Sequence, residues 1–412
     1  MSVTEQSEQT RQCPFDRDMF NDFDFESPEF NEQFDDVINA FAQSCPVAHS
    51  NAGHGYKVLN TYQLVKKAAQ DWRTFSSAKG YMVNRPEGSS LILPEECDPP
   101  YHDSWRKVLN PFLSPTTVAG FEDAITDIAD ELIDGFIERG ECDFVADFSA
   151  HLPGRVFFKC IMGVPEQDLP ALFEGIDSGT FGPVEERAKH FKFVGDYLAD
   201  YLSARRSEPP RDDVVDTINA GVDTPDGTPA SEADKVAVIL DLVFGGLATT
   251  THAMTAAMGY LAENPDLRAR LVADHGLIPK AVEEFVRLFS PVIAPARYVT
   301  KDATIADVEF KEGEWVALNF AAASRDPELV PNPSVLDIDR EEAAHAAFGY
   351  GPHRCIGSHL ARIELRVTLE RILQRMPNFI IKAGTTAVTE TSQLRSTTSL
   401  QLTFEPGVKA TS

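Results

Sequence analysis

One stretch limits the folds open to this chain more than any other. From Ser231 to Glu263 the residues read as a single helix of about 33 residues, halted by Asn264-Pro265, because a residue before proline leaves the α region. Glu232 and Asp234 fill its first turn, where acids suit the helix dipole. Its middle, Val236 to Leu247, is apolar nearly all round. A helix with no polar face must be covered on every side, so it runs through the centre of a large helical body. Asp234, Lys235, Asp241, His252 and the pair Gly245-Gly246 argue against a membrane span.

The rest of the chain fits such a body. Phe121, Ile125, Ile128, Leu132, Ile133 and Phe136 recur at helical spacing between Gly120 and Arg139, and Gly140 is a natural C-cap. Phe181 to Arg206 reads as one or two helices, and Gly221 to Pro229 as a surface loop. Short β-prone pieces stand at Arg297–Val299, Thr304–Ile305, Val308–Phe310, Trp315–Leu318 and Leu400–Phe404. The expected architecture is mainly α with a small β region, one domain over 21–412 behind a disordered arm over 1–20. The 64 acids against 37 Lys and Arg give a net charge of −27, which argues against nucleic acid or an anionic membrane as partner. Six cysteines are scattered without a CxxC pair, and no signal peptide or anchor is visible, so a reducing cytoplasm is expected.

The chemistry centres on Cys355, in Phe348-Gly349-Tyr350-Gly351-Pro352-His353-Arg354-Cys355-Ile356-Gly357. Glycines let the backbone approach a large flat group closely. A helix opening just after the sulfur aims its positive end at the thiol and should lower its pKa. Four other patterns accompany it: Glu284-Phe285-Val286-Arg287, a polar turn ending in Arg340, His102-x-x-x-Arg106, and Gly245-Gly246-Leu247-Ala248-Thr249-Thr250 inside the long helix. Two glycines in a helix interior cost roughly 1 kcal/mol each against Ala, which close approach of something bulky would explain.

In order and spacing these five patterns resemble the cytochrome P-450 family, the haem-thiolate monooxygenases, over nearly the whole chain. The resemblance implies haem b, with Cys355 as axial iron ligand, Phe348 shielding the sulfur and Gly357 letting the next helix approach. It implies His102, Arg106, Arg297 and His353 at the haem propionates. Glu284, Arg287 and Arg340 would form a structural ion triad. Gly245 to Thr250 would be the oxygen groove, with Thr249 at the oxygen-side position and Thr250 and Asp241 as further candidates for proton supply. Leu91, Ile92, Phe244, Ile293 and Leu394 would line a pocket for a compact lipophilic substrate of terpenoid, aromatic, alkyl or steroid type.

The chain departs from the family pattern at Ala248, where the family carries an acid that supplies protons. Thr249, Thr250 and His252 could order waters in its place, or Asp241, two turns earlier, could relay protons or bind a polar substrate group. Alanine at this position also suits the nitric oxide reductase branch, which draws electrons directly from a nicotinamide nucleotide, and a non-enzymatic haem binder is a further alternative. For a monooxygenase, electrons would come from a separate ferredoxin or flavodoxin docking over Cys355, where Arg106, Lys107, Arg354, Arg362 and Arg366 would make the face basic.

Overall fold

A computed structural model describes residues 13–83, 91–181, 184–341 and 343–410. At its centre the helix Glu232–Glu263 runs unbroken. Ser231 and Asp234 close its start as a reciprocal capping box, each side chain accepting from the other's backbone N–H. Val238, Leu242, Val243, Leu247, Met254 and Leu261 are buried in the main core with Trp105, Phe148 and Leu365. By length and composition this helix could cross a membrane. Instead it is covered by the helices Leu152–Val156, Val184–Arg205, Ile278–Leu288 and Ser358–Arg375 and by the strand Arg395–Ser399.

The stretch expected as one or two helices resolves into Val184–Arg205, with a preceding helix Leu169–Phe181 in close contact with it. Glycine makes that contact tight: a Cβ on Gly179 would sit 2.8 Å from the Phe191 ring. The helix expected up to Arg139 ends earlier, at Asp134. A short turn Ile137–Arg139 then reaches Gly140, at φ +70°.

A five-stranded sheet flanks this body, in the order Val47–Ser50, Tyr56–Leu59, Trp315–Leu318, Ala296–Val299, Phe75–Ser76. Only Tyr56–Leu59 and Trp315–Leu318 run parallel. Gln401–Thr403 lies between Glu141–Asp143 and Ile380–Ile381. The hairpin Val388–Thr391 with Arg395–Ser399 had no counterpart in the sequence reading. Its residues are mostly Thr, Ser and Glu, and it has no apolar face to announce it.

The N-terminal expectation needs correction. Residues 1–12 of the expected arm lie outside the described residues, but Met19 and Phe20 are buried in a second cluster with Phe23, Phe25, Phe30, Phe34 and Phe41. Edge-on ring contacts join Phe23 to Phe25, Phe30 and Phe41 at 4.7 to 5.2 Å. An acidic segment looks polar on average, yet its aromatic residues suffice to anchor it.

Candidate active site

The turn before the helix Ser358–Arg375 holds Cys355 by its backbone. The Cys355 N–H donates to Phe348 O at 2.9 Å, and the Gly357 N–H donates to the Cys355 sulfur. Gly351, at φ +70°, admits no side chain, since a Cβ would lie 2.3 Å from Ala69 O. Cys355 is surrounded by protein yet keeps an open surface, the pattern of a residue that lines an internal space. The expected low thiol pKa is not found. Burial pushes the thiol up, and it outweighs the Gly357 N–H, Arg106 and Arg354. A thiol so held loses its proton on metal binding, because the thiolate is the ligand form. Among the described residues no cluster of three or more His, Cys, Asp or Glu could hold a metal.

The long helix forms the opposing wall. Asp241, Phe244, Gly245, Ala248 and Thr249 keep accessible surface, whereas Leu242, Val243, Leu247 and Thr250 are buried. A Cβ on Gly245 or Gly246 would meet nothing within 4 Å. The glycines therefore floor an open groove and do not serve a helix crossing. The Thr249 hydroxyl donates to Gly245 O at 2.9 Å, which leaves its oxygen free to accept from the groove. Thr250, expected beside Thr249 in proton handling, sits about 100° further round the helix and is turned into the core. His252 is buried as well. Its Nδ1 lies 3.2 Å from Thr397 Oγ1 and its Nε2 has no partner. Burial and Arg395 lower its pKa to about 3, so the ring is neutral.

At the cavity edge two histidines and an arginine converge. The His102 and His353 rings lie 4.4 Å apart, and Arg297 is buried, donating to Ala296 O. His102 Nδ1 meets Asp103 at 3.0 Å, and His353 Nε2 meets Ser77 Oγ at 3.2 Å. That leaves His102 Nε2 and His353 Nδ1 buried without partners. Unpaired buried nitrogens beside a buried guanidinium suit a ligand with carboxylates. Burial first, and the nearby arginines second, lower the His353 pKa. Arg106, expected at the propionates, also has a second role. It donates to the Arg354 and Pro352 carbonyls at 2.9 and 3.5 Å, so it braces the cysteine turn. Ser77 was not singled out from sequence. It is set by Asp98, which accepts from the Ser77 N–H at 3.0 Å and from Ser76 Oγ at 2.5 Å.

The triad assembles as expected. Arg287 grips Glu284 at 2.7 and 2.9 Å, and Arg340 Nε reaches the same carboxylate at 3.2 Å. Burial would raise the Glu284 pKa, but Arg287, the Asp337 N–H and Arg340 hold it below the usual range. Arg287 also donates to Ser324 O, Pro333 O and Val335 O. The set ties the turn before Arg340 to the helix Ile278–Leu288, a role in geometry more than in net stability.

The basic face over Cys355 is narrower than expected. Arg362 is held by Glu283 at 2.5 and 2.8 Å and covers the Phe348 ring at 4.4 Å. Arg366 is paired with Glu122 and Glu370. Lys107 and Arg354 are exposed and have no ion pair among the described residues.

Of the expected pocket residues, Leu91 is exposed, and Ile92, Phe244 and Leu394 keep partial surface. Ile293 does not line a cavity. It is fully buried in the N-terminal aromatic cluster. Sequence reasoning also passed over Glu95, whose carboxyl is raised by burial and lowered by Arg297 and Arg106. Its signal was faint, an acid directly after the apolar run Leu91 to Pro94.

Fold and cradle suit a class of protein that holds a ligand with anionic arms beside an accessible cysteine sulfur. The family model described as Cytochrome P450 matches residues 157–393. A steroid C26-monooxygenase of Mycolicibacterium smegmatis is 34% identical over 333 residues, 79% of this chain and 81% of that protein. A vitamin D(3) 25-hydroxylase of Pseudonocardia autotrophica is 32% identical over 337 residues, 79% and 82% of the two chains. Among solved structures, CYP101J2 matches with a TM-score of 0.81 at 28% identity, over 93% of this chain and 97% of that one. CYP108D1 from Novosphingobium aromaticivorans gives 0.77 at 29%, over 91% and 95%. The chain belongs to the cytochrome P450 family. It is a monooxygenase whose cofactor is haem b, and the partnerless histidine nitrogens and open glycine groove fit that group.

Proposed function

We propose that the protein hydroxylates a compact lipophilic small molecule with O2, using electrons from a separate ferredoxin or flavodoxin, in the bacterial cytoplasm. The observation that carries this is the accessible surface kept by Cys355 inside the protein body and by the open Gly245–Thr249 face of the long helix, with Arg106 acting on both Cys355 and Asp241. The haem supplies O2 activation and insertion of one oxygen atom into a C–H bond.

The chain's own residues do the rest. Cys355 ligates the iron, steadied by the Gly357 N–H. His102, His353 and Arg297 hold the propionates, while Arg106 fixes the ligand turn. Thr249 keeps an accepting oxygen toward the groove and orders water there, the step that Ala248 cannot assist. Phe244, with Phe191 edge-on at 5.0 Å, roofs the pocket and excludes bulk water. The relatives named for steroid and vitamin D(3) oxidation support a steroid-type skeleton within the lipophilic class. Bacterial relatives and six free cysteines support the cytoplasm.

The test has two parts. The reduced carbon monoxide complex should show the red-shifted Soret band of thiolate ligation, lost in Cys355→His. A library titrated by haem spin state should select lipophilic skeletons, and turnover should require added ferredoxin and reductase. Turnover of nitric oxide by NADH alone would replace this reading.

A further inference from the structure

The distal wall carries one residue that neither the sulfur nor the propionate cradle needs. Asp241 lies on the accessible face of the long helix, one turn before Gly245, whose Cβ position meets nothing within 4 Å. Among the described residues no cation stands within ion-pair distance of it. Its carboxylate accepts the Glu95 backbone N–H. That donor is held in place. Glu96 accepts from the Ile92 and Tyr81 N–H groups at 2.8 and 3.0 Å, and the Leu93 N–H approaches Ala237 O at 3.5 Å. Asp241 is thus fixed by a rigid helix on one side and a pinned loop on the other.

Its surroundings do not repay burying a carboxyl. Glu95, Glu96 and Cys97 act on it from the loop, and Arg106 is the cation that acts on it. Burial first, then the like charge of Glu95, raise its pKa. A leucine here would stabilise the helix better, since a buried polar group without full partners weakens a fold. Groups that destabilise the resting protein concentrate where ligands bind.

We propose that Asp241 is the polar anchor of the substrate pocket, accepting a hydrogen bond from a hydroxyl or ammonium group on an otherwise apolar substrate. This rests on the monooxygenase reading and adds which end of the substrate is recognised. Distance along the helix sets the geometry. Gly245 and Thr249 lie four and eight residues beyond Asp241, about 6 to 12 Å at 1.5 Å per residue. The donor group therefore sits about that far from the carbon oxidised. The substrate is bifunctional, with a polar donor at one end and an unactivated C–H at the other.

A matched series on one skeleton tests this: hydrocarbon, alcohol, primary amine and methyl ether, each titrated by haem spin state. Wild-type enzyme should bind the alcohol about 3- to 10-fold more tightly than the ether and hydrocarbon, the range for an ordinary hydrogen bond, and the amine at least as tightly as the alcohol. Asp241→Leu should abolish that ratio, bind the hydrocarbon at least as well, and raise the Tm of the holoenzyme. Asp241→Asn should keep the preference for the alcohol and lose that for the amine if the donor is an ammonium. An unchanged ratio in Asp241→Leu overturns the proposal, and with a lowered Tm it assigns Asp241 an internal structural partner. Absence of the red-shifted Soret band in wild type would instead overturn the monooxygenase reading beneath it.

Discussion

Glu364 is a carboxyl held in the core of the helix behind the sulfur. Its Oε1 has no partner, and burial alone raises its pKa to about 8. The unfolded chain releases this proton near the ordinary glutamate value, the folded protein only near 8. Between those values the folded state binds more protons, so stability falls as pH rises, by up to about 1.4 kcal/mol per pH unit. Glu364→Gln should remove that slope and raise Tm at pH 7 to 8, with little change at pH 4; thermal melts across pH read it directly. Ala248 is the second test at this scale. Ala248→Asp restores a carboxyl one residue before Thr249, on the groove. If proton supply limits coupling, product formed per NADH should rise about two- to tenfold, within the reach of one general acid, with peroxide falling in step. The residues legible from sequence were those fixed by motif, such as Cys355, Glu284 and Arg287. Thr250 and Ile293 were not, because neighbours in sequence face different ways and only packing says which stay accessible. Ser77 and Glu95 were invisible for a related reason: they act through His353 and Asp241, which are near only in space.

At the scale of elements, the cysteine turn is clamped from two sides. Arg106 holds its carbonyls, and the Glu283–Arg362 pair lays a guanidinium over Phe348. Burial would raise Glu283, but Arg362 and His345 hold it down to about 2. A depressed carboxyl stabilises the fold above its unfolded pKa, and that stability is lost as pH falls from about 4.5 toward 2. Arg362→Ala should therefore cost about 1 to 2 kcal/mol at pH 7, less than a fully buried pair because both groups reach solvent. The difference from wild type should shrink below pH 4, and haem loss to apomyoglobin should quicken. A variant that retains haem and stability would show that the pair is a surface contact. The long helix was readable because 33 residues of apolar pattern admit few alternatives. The strands Val47–Ser50 and Tyr56–Leu59 were not, since each has four residues, and the hairpin they form joins the sheet only where Tyr56–Leu59 pairs with Trp315–Leu318 far along the chain.

For the whole molecule, the proposed acidic electron donor meets a protein whose own net charge is −27. Average charge repels such a partner, so docking depends on a local reversal of sign. The structure narrows that reversal. Arg362 and Arg366 are already neutralised by Glu283, Glu122 and Glu370, while Lys107 and Arg354 stand exposed beside the cysteine turn. Two free cations are a small patch, and their field fades over about 10 Å at 0.1 M salt. Association should thus be strongly salt-sensitive, with its sensitivity concentrated in these two residues. Lys107→Glu with Arg354→Glu should cut ferredoxin-supported reduction about tenfold at low salt, measured by stopped-flow as the rate of carbon monoxide complex formation. The deficit should close as ionic strength approaches 0.5 M, where wild type slows to meet the variant. Spin-state titration with substrate should be unchanged, which separates docking from pocket damage. Equal rates for variant and wild type at low salt would place the donor elsewhere on the surface.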